Sequence, residues 1–201
     1  HEYVHLFGAP DLYDPNQYRG GLGHFDIMSN PEGAVPGYVP GSASPYIKIG
    51  IGWMKPEFIE YDGEYSLRAS NLYPESFIIE KNFPPGEYLI IENRQVRDYD
   101  EQLPGNGGLL IYHVDELQQS GQTRAGWPGS QFWPFDHYRV ALNQADGNFD
   151  LEKASNAGDN GDYYSYPREL LPGSSGIHPS TDSYQFGEWT STGISITDIS
   201  A

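Results

Sequence analysis

The sequence predicts a mainly β protein of the α+β type, in which a short helix and an irregular region precede an antiparallel β-sheet or sandwich. Its 24 Gly and 16 Pro are spread along all 201 residues, which disfavours long helices. From about residue 60 onward, short segments rich in Ile, Leu, Tyr and Val are bounded by Pro, Gly, Asn or Asp. This spacing is typical of strands in an antiparallel sheet or sandwich.

The first part of the chain is predicted to be helical and then irregular. Residues 1–7 contain no helix-breaking residue and predict two helical turns, which Gly8 and Pro10 end. Residues 19–41 are rich in Gly and Pro and are expected to form a long irregular region.

A second short helix is predicted to begin at Ser44 and Pro45. Serine is a favoured N-cap and proline is favoured in the first helical turn. The following residues 46–53 continue this helix or, alternatively, form a strand, because every second residue from Ile47 to Ile51 is isoleucine. The pattern leaves both alternatives open.

Six strands are predicted after a change of composition near residues 56–62, which divides the chain into segments 1–58 and 59–201. The predicted strands are Glu64–Ser70, Ser76–Lys81, Glu87–Arg94, Gly108–Asp115, His137–Gln144 and Gly193–Ile199. Segment 59–201 is therefore expected to be β-rich.

Composition excludes several classes of function. A formal net charge of −17 disfavours nucleic acid and anionic membrane surfaces as partners, because both carry negative charge. The absence of cysteine excludes disulfides, cysteine-ligated zinc and thiol nucleophiles. No apolar stretch approaches the roughly 18–20 residues that span a bilayer. The chain begins with His rather than Met, so we expect a fragment or processed product whose targeting signal lies elsewhere.

The opening helix carries a metal-binding pattern. His1 and His5 are four residues apart and lie on one helix face, where both imidazoles can bind one zinc ion. Glu2 projects beside that face and is suited to act on a metal-bound water without binding the metal. Gly8 allows the chain to leave the helix abruptly and present Asp11 as a third ligand. Asp14 is the competing third ligand.

The run HEYVHLFGAPDLYD at residues 1–14 resembles the active-site segment of the immune inhibitor A-like metallopeptidases, secreted bacterial enzymes of the metzincin kind. The run GHFDIMSN at residues 23–30 resembles the methionine-containing turn of that family. Further segments that match in order and character are 48–54, 88–94, 103–105, 108–115, 145–152 and 193–200.

The resemblance implies a zinc-dependent endopeptidase that hydrolyses peptide bonds in proteins. It implies that His1, His5 and Asp11 bind zinc, that Glu2 is the general base and that Met28 lies beneath the metal. Residues 1–58 are then the C-terminal part of a catalytic domain, and the β-rich residues 59–201 pack on it.

The sequence departs from the family pattern in two respects. Many metzincins have a tyrosine two residues after the methionine, where it stabilises the tetrahedral intermediate, and Asn30 occupies that position here. The family also has a sheet and a backing helix before the active-site helix, whereas this chain starts at the first ligand, so the fragment is expected to be inactive alone. The alternative function is a non-catalytic β-sandwich module for binding or scaffolding, with a vestigial metal motif.

A second metal site is predicted in the acidic loops of the C-terminal half. Oxygen ligands that alternate along a loop suit calcium. The candidate ligands are Asp146, Asn148, Asp150, Glu152, Asp159 and Asp162. Leu151 stands where an EF-hand loop requires glycine, so the loop is not an EF-hand. The alternative is a solvated acidic loop with Asx turns.

The remaining histidines lack a ligand partner at a recognised spacing. His113 lies within a predicted strand, and His24, His137 and His178 lie in loops or at strand ends. All four are predicted to be structural or surface residues.

Overall fold

The protein forms one five-stranded mixed sheet and two short α-helices. The computed structural model describes residues 1–17, 20–30, 41–119, 121–123, 125–173 and 178–200. In chain order the strands are β1 Glu57–Phe58, β2 Phe77–Ile79, β3 Glu87–Arg94, β4 Gly108–Asp115 and β5 Val140–Leu142. They follow the same order across the sheet, with β1 parallel to β2 and all other neighbours antiparallel.

The long hairpin of β3 and β4 is the centre of the sheet. It pairs from Glu87 with Asp115 to Arg94 with Gly108, and both strands have the predicted bounds. Because both faces are covered, the strands are almost wholly buried, which explains the unbroken run Leu89–Ile91. The mainly β prediction is therefore confirmed, although the sheet is mixed rather than wholly antiparallel.

The weaker strand predictions were shortened or wrong. Residues 76–81 and 137–144 supply only the three-residue strands β2 and β5. Residues 64–70 and 193–199 contain only isolated bridges, one between Ala69 and Asn93 and one between Leu170 and Ile196. Tertiary packing rather than β-propensity decided these segments.

Both helices lie in the first 50 residues. Helix α1 spans Glu2–His5, and α2 spans Pro45–Gly50. The Ser44 hydroxyl accepts the Ile47 amide at 3.5 Å and caps α2, so the helical alternative for this segment is confirmed. Among its described residues, the predicted irregular region contains a single 3-10 turn at Gly23–Phe25, and its residues 19 and 31–40 lie outside the described part.

The two faces of the sheet pack against different parts of the chain. Ile90 and Tyr112 on one face join a cluster that contains Leu12, Met28 and Ile47. The opposite face packs against residues near the C-terminus. The candidate metal segment therefore rests on the sheet, and the boundary between 1–58 and 59–201 stays a prediction.

Among the described residues, no helix has the length and apolar character needed to cross a membrane.

Candidate metal centre

His1, His5 and Asp11 converge at the surface next to α1. His1 is the N-cap of α1 and His5 is its last residue, so one helical turn places the two imidazoles side by side. The Nε2 atoms of the two rings are 3.2 Å apart. The Asp11 Oδ1 atom lies 3.0 Å from Nε2 of His1 and 3.2 Å from Nε2 of His5.

Hydrogen bonds to backbone carbonyls set the orientation of both imidazoles. Nδ1 of His1 is 2.9 Å from the Ile27 carbonyl oxygen, and Nδ1 of His5 is 2.8 Å from the Ala9 carbonyl oxygen. A carbonyl can only accept, so each Nδ1 carries a proton, and each ring presents an Nε2 lone pair whenever it is neutral. Metal-ligating histidines typically have this arrangement.

The donor set fits a zinc ion. Two imidazole Nε2 atoms and one carboxylate oxygen face one another in three contacts. A single proton among these three atoms can turn only one of the contacts into a hydrogen bond. Zinc–nitrogen and zinc–oxygen bonds of about 2.0–2.1 Å in a tetrahedron place neighbouring ligand atoms about 3.3 Å apart. The observed separations of 3.0–3.2 Å are close to that edge length.

The structure brings Asp11, and not Asp14, to the histidine pair. Gly8 adopts a φ of +90°, which turns the chain back after α1 and carries Asp11 to the imidazoles. Asp14 is buried and accepts hydrogen bonds from the Asn16 amide at 2.8 Å and the Tyr138 hydroxyl at 3.0 Å. Asp14 is therefore held away from the group.

Glu2, the predicted general base, is open to solvent. Its side chain is exposed at the start of α1 and forms no hydrogen bond or ion pair with any described residue.

Tyr13 lies beside the metal group and was not identified from the sequence. The centroid of its ring is 6.2 Å from that of His1. The negative charge of Asp11 raises the pKa of Tyr13, which keeps this hydroxyl protonated as a donor. Asn30 instead pairs with His24 at 2.8 Å.

Met28 lies in the turn that supports the group. The residue is fully buried in the main core, and its carbonyl accepts the Leu12 amide at 2.9 Å. The preceding Ile27 carbonyl is the acceptor for His1. One turn thus contacts both ends of the ligand-bearing segment, and the position of Met28 relative to a bound metal stays a prediction.

The second predicted metal site is only partly assembled. Asp146, Asp150 and Asp159 have carboxylate oxygens within 4.8 Å of one another. Gly161 permits this approach, because a Cβ at that position would lie 2.1 Å from Asp146 Oδ2. The other three candidates have different partners: Asn148 donates to Asp146, Glu152 accepts from Gln144, and Asp162 accepts the Asp159 amide.

A pocket of about 200 Å³ opens beside the turn Gly8–Pro10. Its walls are mainly apolar, and at one side the Glu116 carboxylate accepts the hydroxyls of Tyr46 at 3.2 Å and Tyr88 at 2.8 Å. The pocket therefore adjoins the segment that links two of the three candidate ligands.

Two other histidines form a buried pair, His113 on β4 and His137 shortly before β5. Nε2 of His113 lies 2.7 Å from Glu87, and Nε2 of His137 lies 3.2 Å from Asp115. Their ring centroids are 6.2 Å apart, and Tyr184 stacks on His113. The prediction that these histidines are structural agrees with their burial and pairing.

No protein-family model, curated protein or solved structure matches this chain. The resemblance to immune inhibitor A-like metallopeptidases therefore stays a prediction. The observation that bears on function is the geometry of the metal group.

Proposed function

We propose that this chain carries the active-site segment of a zinc-dependent endopeptidase that hydrolyses peptide bonds in proteins. The convergence of two imidazole Nε2 atoms with Asp11 Oδ1, while both Nδ1 atoms donate to carbonyls, is the observation that supports it. We further expect a secreted bacterial enzyme, as the family resemblance implies. The pocket beside Gly8–Pro10 suits an apolar substrate side chain.

Each residue has a separate role in this reaction. When bound, zinc supplies Lewis-acid activation of a water and of the scissile carbonyl. His1, His5 and Asp11 hold the cation, and the backbone carbonyls of Ile27 and Ala9 keep the rings oriented. Glu2 takes the proton of the attacking water and passes it to the leaving amine.

Zinc content tests the metal group directly. The chain, dialysed against trace zinc, is expected to hold one zinc per molecule by elemental analysis. The substitution His5→Ala should lose that zinc, whereas Glu2→Gln should keep it, because Glu2 is not a ligand. A wild-type chain that retains no zinc would contradict the proposal.

Because this segment is expected to be inactive alone, casein hydrolysis by the whole endopeptidase that carries it tests the catalytic role of Glu2. Glu2→Gln removes the proton acceptor and is expected to lower turnover by at least about 100-fold while zinc stays bound. Glu60→Gln is the matched control, since Glu60 is also exposed. Turnover that survives in Glu2→Gln would show that another group is the base.

A binding module is the second candidate function, and an exposed apolar face favours it. Tyr3, Leu6 and Phe7 are exposed along α1, and Phe7 contacts Trp53 edge to face at 5.3 Å. Such a patch is typical of interaction surfaces. Stoichiometric zinc binding without any hydrolysis that depends on Glu2 would favour this function over the peptidase.

A structural calcium ion at Asp146, Asp150 and Asp159 is a further part of the proposal. Three carboxylates close together repel one another, and a divalent cation would offset that repulsion and order the loop. Calcium at about 100 times its dissociation constant should stabilise the fold by about 2.7 kcal/mol. Thermal melting with and without calcium measures this, and Asp150→Asn should remove most of the shift. An unchanged melting temperature would remove calcium from the proposal.

A further inference from the structure

The buried carboxylate of Asp26 lies at the base of the turn that supports the metal group. Asp26 is fully buried. Its Oδ1 accepts the Met28 amide at 2.5 Å, and its Oδ2 accepts the Ser44 amide at 2.6 Å. Its carbonyl also accepts the amides of Ser29 and Asn30. Four hydrogen bonds therefore converge on this one residue and hold residues 26–30 in a single conformation.

The two carbonyls that follow Asp26 point to the ligand segment. The Ile27 carbonyl accepts Nδ1 of His1 at 2.9 Å. The Met28 carbonyl accepts the amide of Leu12, the residue after Asp11, at 2.9 Å. A rotation of this turn would move the first ligand and the third ligand together.

The sheet anchors the opposite side of Asp26. Arg94 of β3 is fully buried and donates to the carbonyls of Ser42 at 3.1 Å and Ala43 at 3.5 Å. These residues lead directly into Ser44, whose amide binds Asp26. A continuous hydrogen-bonded path thus runs from the central strand through Asp26 to the imidazole of His1.

We propose that Asp26 is a positioning residue for the metal group, which orients His1 and Asp11 through the carbonyls of Ile27 and Met28. This inference rests on the proposed zinc function. A carboxylate presents an acceptor to both amide donors, whereas asparagine would present its NH₂ to one of them. Asp26→Asn therefore places two donors face to face, and the turn has to shift.

Metal binding by Asp26→Asn is the test. We expect zinc affinity to fall about 10- to 100-fold, as is usual when a residue that supports a ligand is changed. The visible absorption spectrum of the cobalt(II)-substituted protein should also change, because it reports ligand geometry. Asp182→Asn is the matched control: Asp182 is fully buried and accepts the Gly173 amide and the Trp189 ring N–H, neither of which belongs to the metal segment.

The outcomes separate the two proposals. Wild-type protein that binds no zinc overturns the zinc function itself. Wild-type affinity and an unchanged cobalt spectrum in Asp26→Asn overturn the positioning role alone. Equal losses of zinc affinity in Asp26→Asn and Asp182→Asn would assign the effect to general destabilisation and would also overturn it.

Hydrogen exchange in the wild-type protein gives a test that needs no substitution. Coupling is reciprocal, so a turn that favours metal binding must itself be stabilised by the metal. Zinc is expected to slow exchange of the Leu12, Met28 and Ser44 amides by at least about 10-fold more than that of Gly173. Equal slowing at all four amides would overturn the inference, even if Asp26→Asn failed to fold.

Discussion

The pairs His1–His5 and His113–His137 both combine two imidazoles with carboxylates, but they arrange these groups differently. His1 and His5 share one carboxylate and turn their Nε2 atoms toward each other at 3.2 Å. His113 and His137 each have their own carboxylate, Glu87 and Asp115, and their rings are held apart. The first pair is partly exposed and the second is buried.

This difference shows that composition alone does not assemble a group that could hold a metal. In the buried pair each Nε2–H can donate to its own carboxylate, so these two contacts need no cation, although Nδ1 of His113 has no hydrogen-bond partner among the described residues. When neutral, two imidazoles whose Nδ1 atoms are already donating present only acceptors to a single carboxylate, and a cation satisfies all three. The carbonyls that orient Nδ1 are therefore as informative as the ligands themselves.

The largest expected effect separates the two pairs by metal content. His5→Ala removes one of three ligands and should weaken zinc binding by more than about 100-fold, beyond the usual cost of changing a supporting residue. His137→Ala should keep one zinc per molecule. Competition with a zinc chelator measures both affinities, and a similar loss in both variants would remove the distinction.

The reverse experiment breaks the buried pair. His113→Ala leaves the Glu87 carboxylate buried without its imidazole and should lower the free energy of unfolding by about 3 kcal/mol. Chemical denaturation in urea measures this loss. Zinc affinity is expected to stay at the wild-type value, and a concurrent loss of zinc would show that the regions are coupled.

Glu152 sharpens the comparison, because it lines the same pocket as His113 and His137 but accepts its side-chain hydrogen bond from the neutral amide of Gln144. Burial raises the pKa of Glu152 to about 7. Burial also acts to raise the pKa of Glu87, but the contacts with His113, Ser183 and the Tyr184 amide together outweigh it and lower that pKa. A raised carboxyl pKa means that the folded state binds the proton more tightly. The stability of the protein is therefore reduced as pH rises from about 4.5 to about 7.

Glu152→Gln should remove that pH-dependent cost. The amide keeps an acceptor for Gln144 but carries no charge, so the variant should be more stable than wild type by about 2 kcal/mol at pH 8. The difference should shrink toward pH 4.5, and Glu60→Gln should show no such trend. Urea denaturation across this pH range measures it; a gain that is equal at both ends would refute the assigned cause.

The smallest expected effect distinguishes the two members of the buried pair. After His137→Gln, Asp115 still accepts the Leu117 amide at 2.9 Å and the Gln185 side chain at 3.0 Å. The loss of unfolding free energy should therefore be only about 1 kcal/mol. A loss as large as that of His113→Ala would mean that packing of the rings matters more than their hydrogen bonds.

Local patterns predicted much of the fold where one segment carried a strong signal. The apolar strands Glu87–Arg94 and Gly108–Asp115 were found with their bounds because burial on both faces demands continuous apolar residues. The segments 64–70 and 193–199 were also predicted to be strands, but only isolated bridges formed there. Strand pairing depends on residues that are distant in the chain, and a local sequence pattern does not predict which residues these are.

The sequence by itself determined the elements of the candidate metal site that depend on local geometry. Helical periodicity places His1 beside His5, and Gly8 supplies the positive φ that returns the chain to Asp11. The sequence also indicated the acidic loop as a set of candidate oxygen ligands. It did not indicate which three of these ligands would come together.

Only the tertiary structure decided between equivalent candidates. Asp14 is held by Tyr138, a residue 124 positions away, and so leaves the ligand position to Asp11. Asp26 looked like part of a turn, and its contacts with Ser44 reveal it as the link to the sheet. Gly161 selects Asp146 and Asp159 by admitting their carboxylates. The physical reason is common to all three: a polar side chain takes the partner that folding brings within hydrogen-bonding distance, and spacing along the chain does not encode that distance.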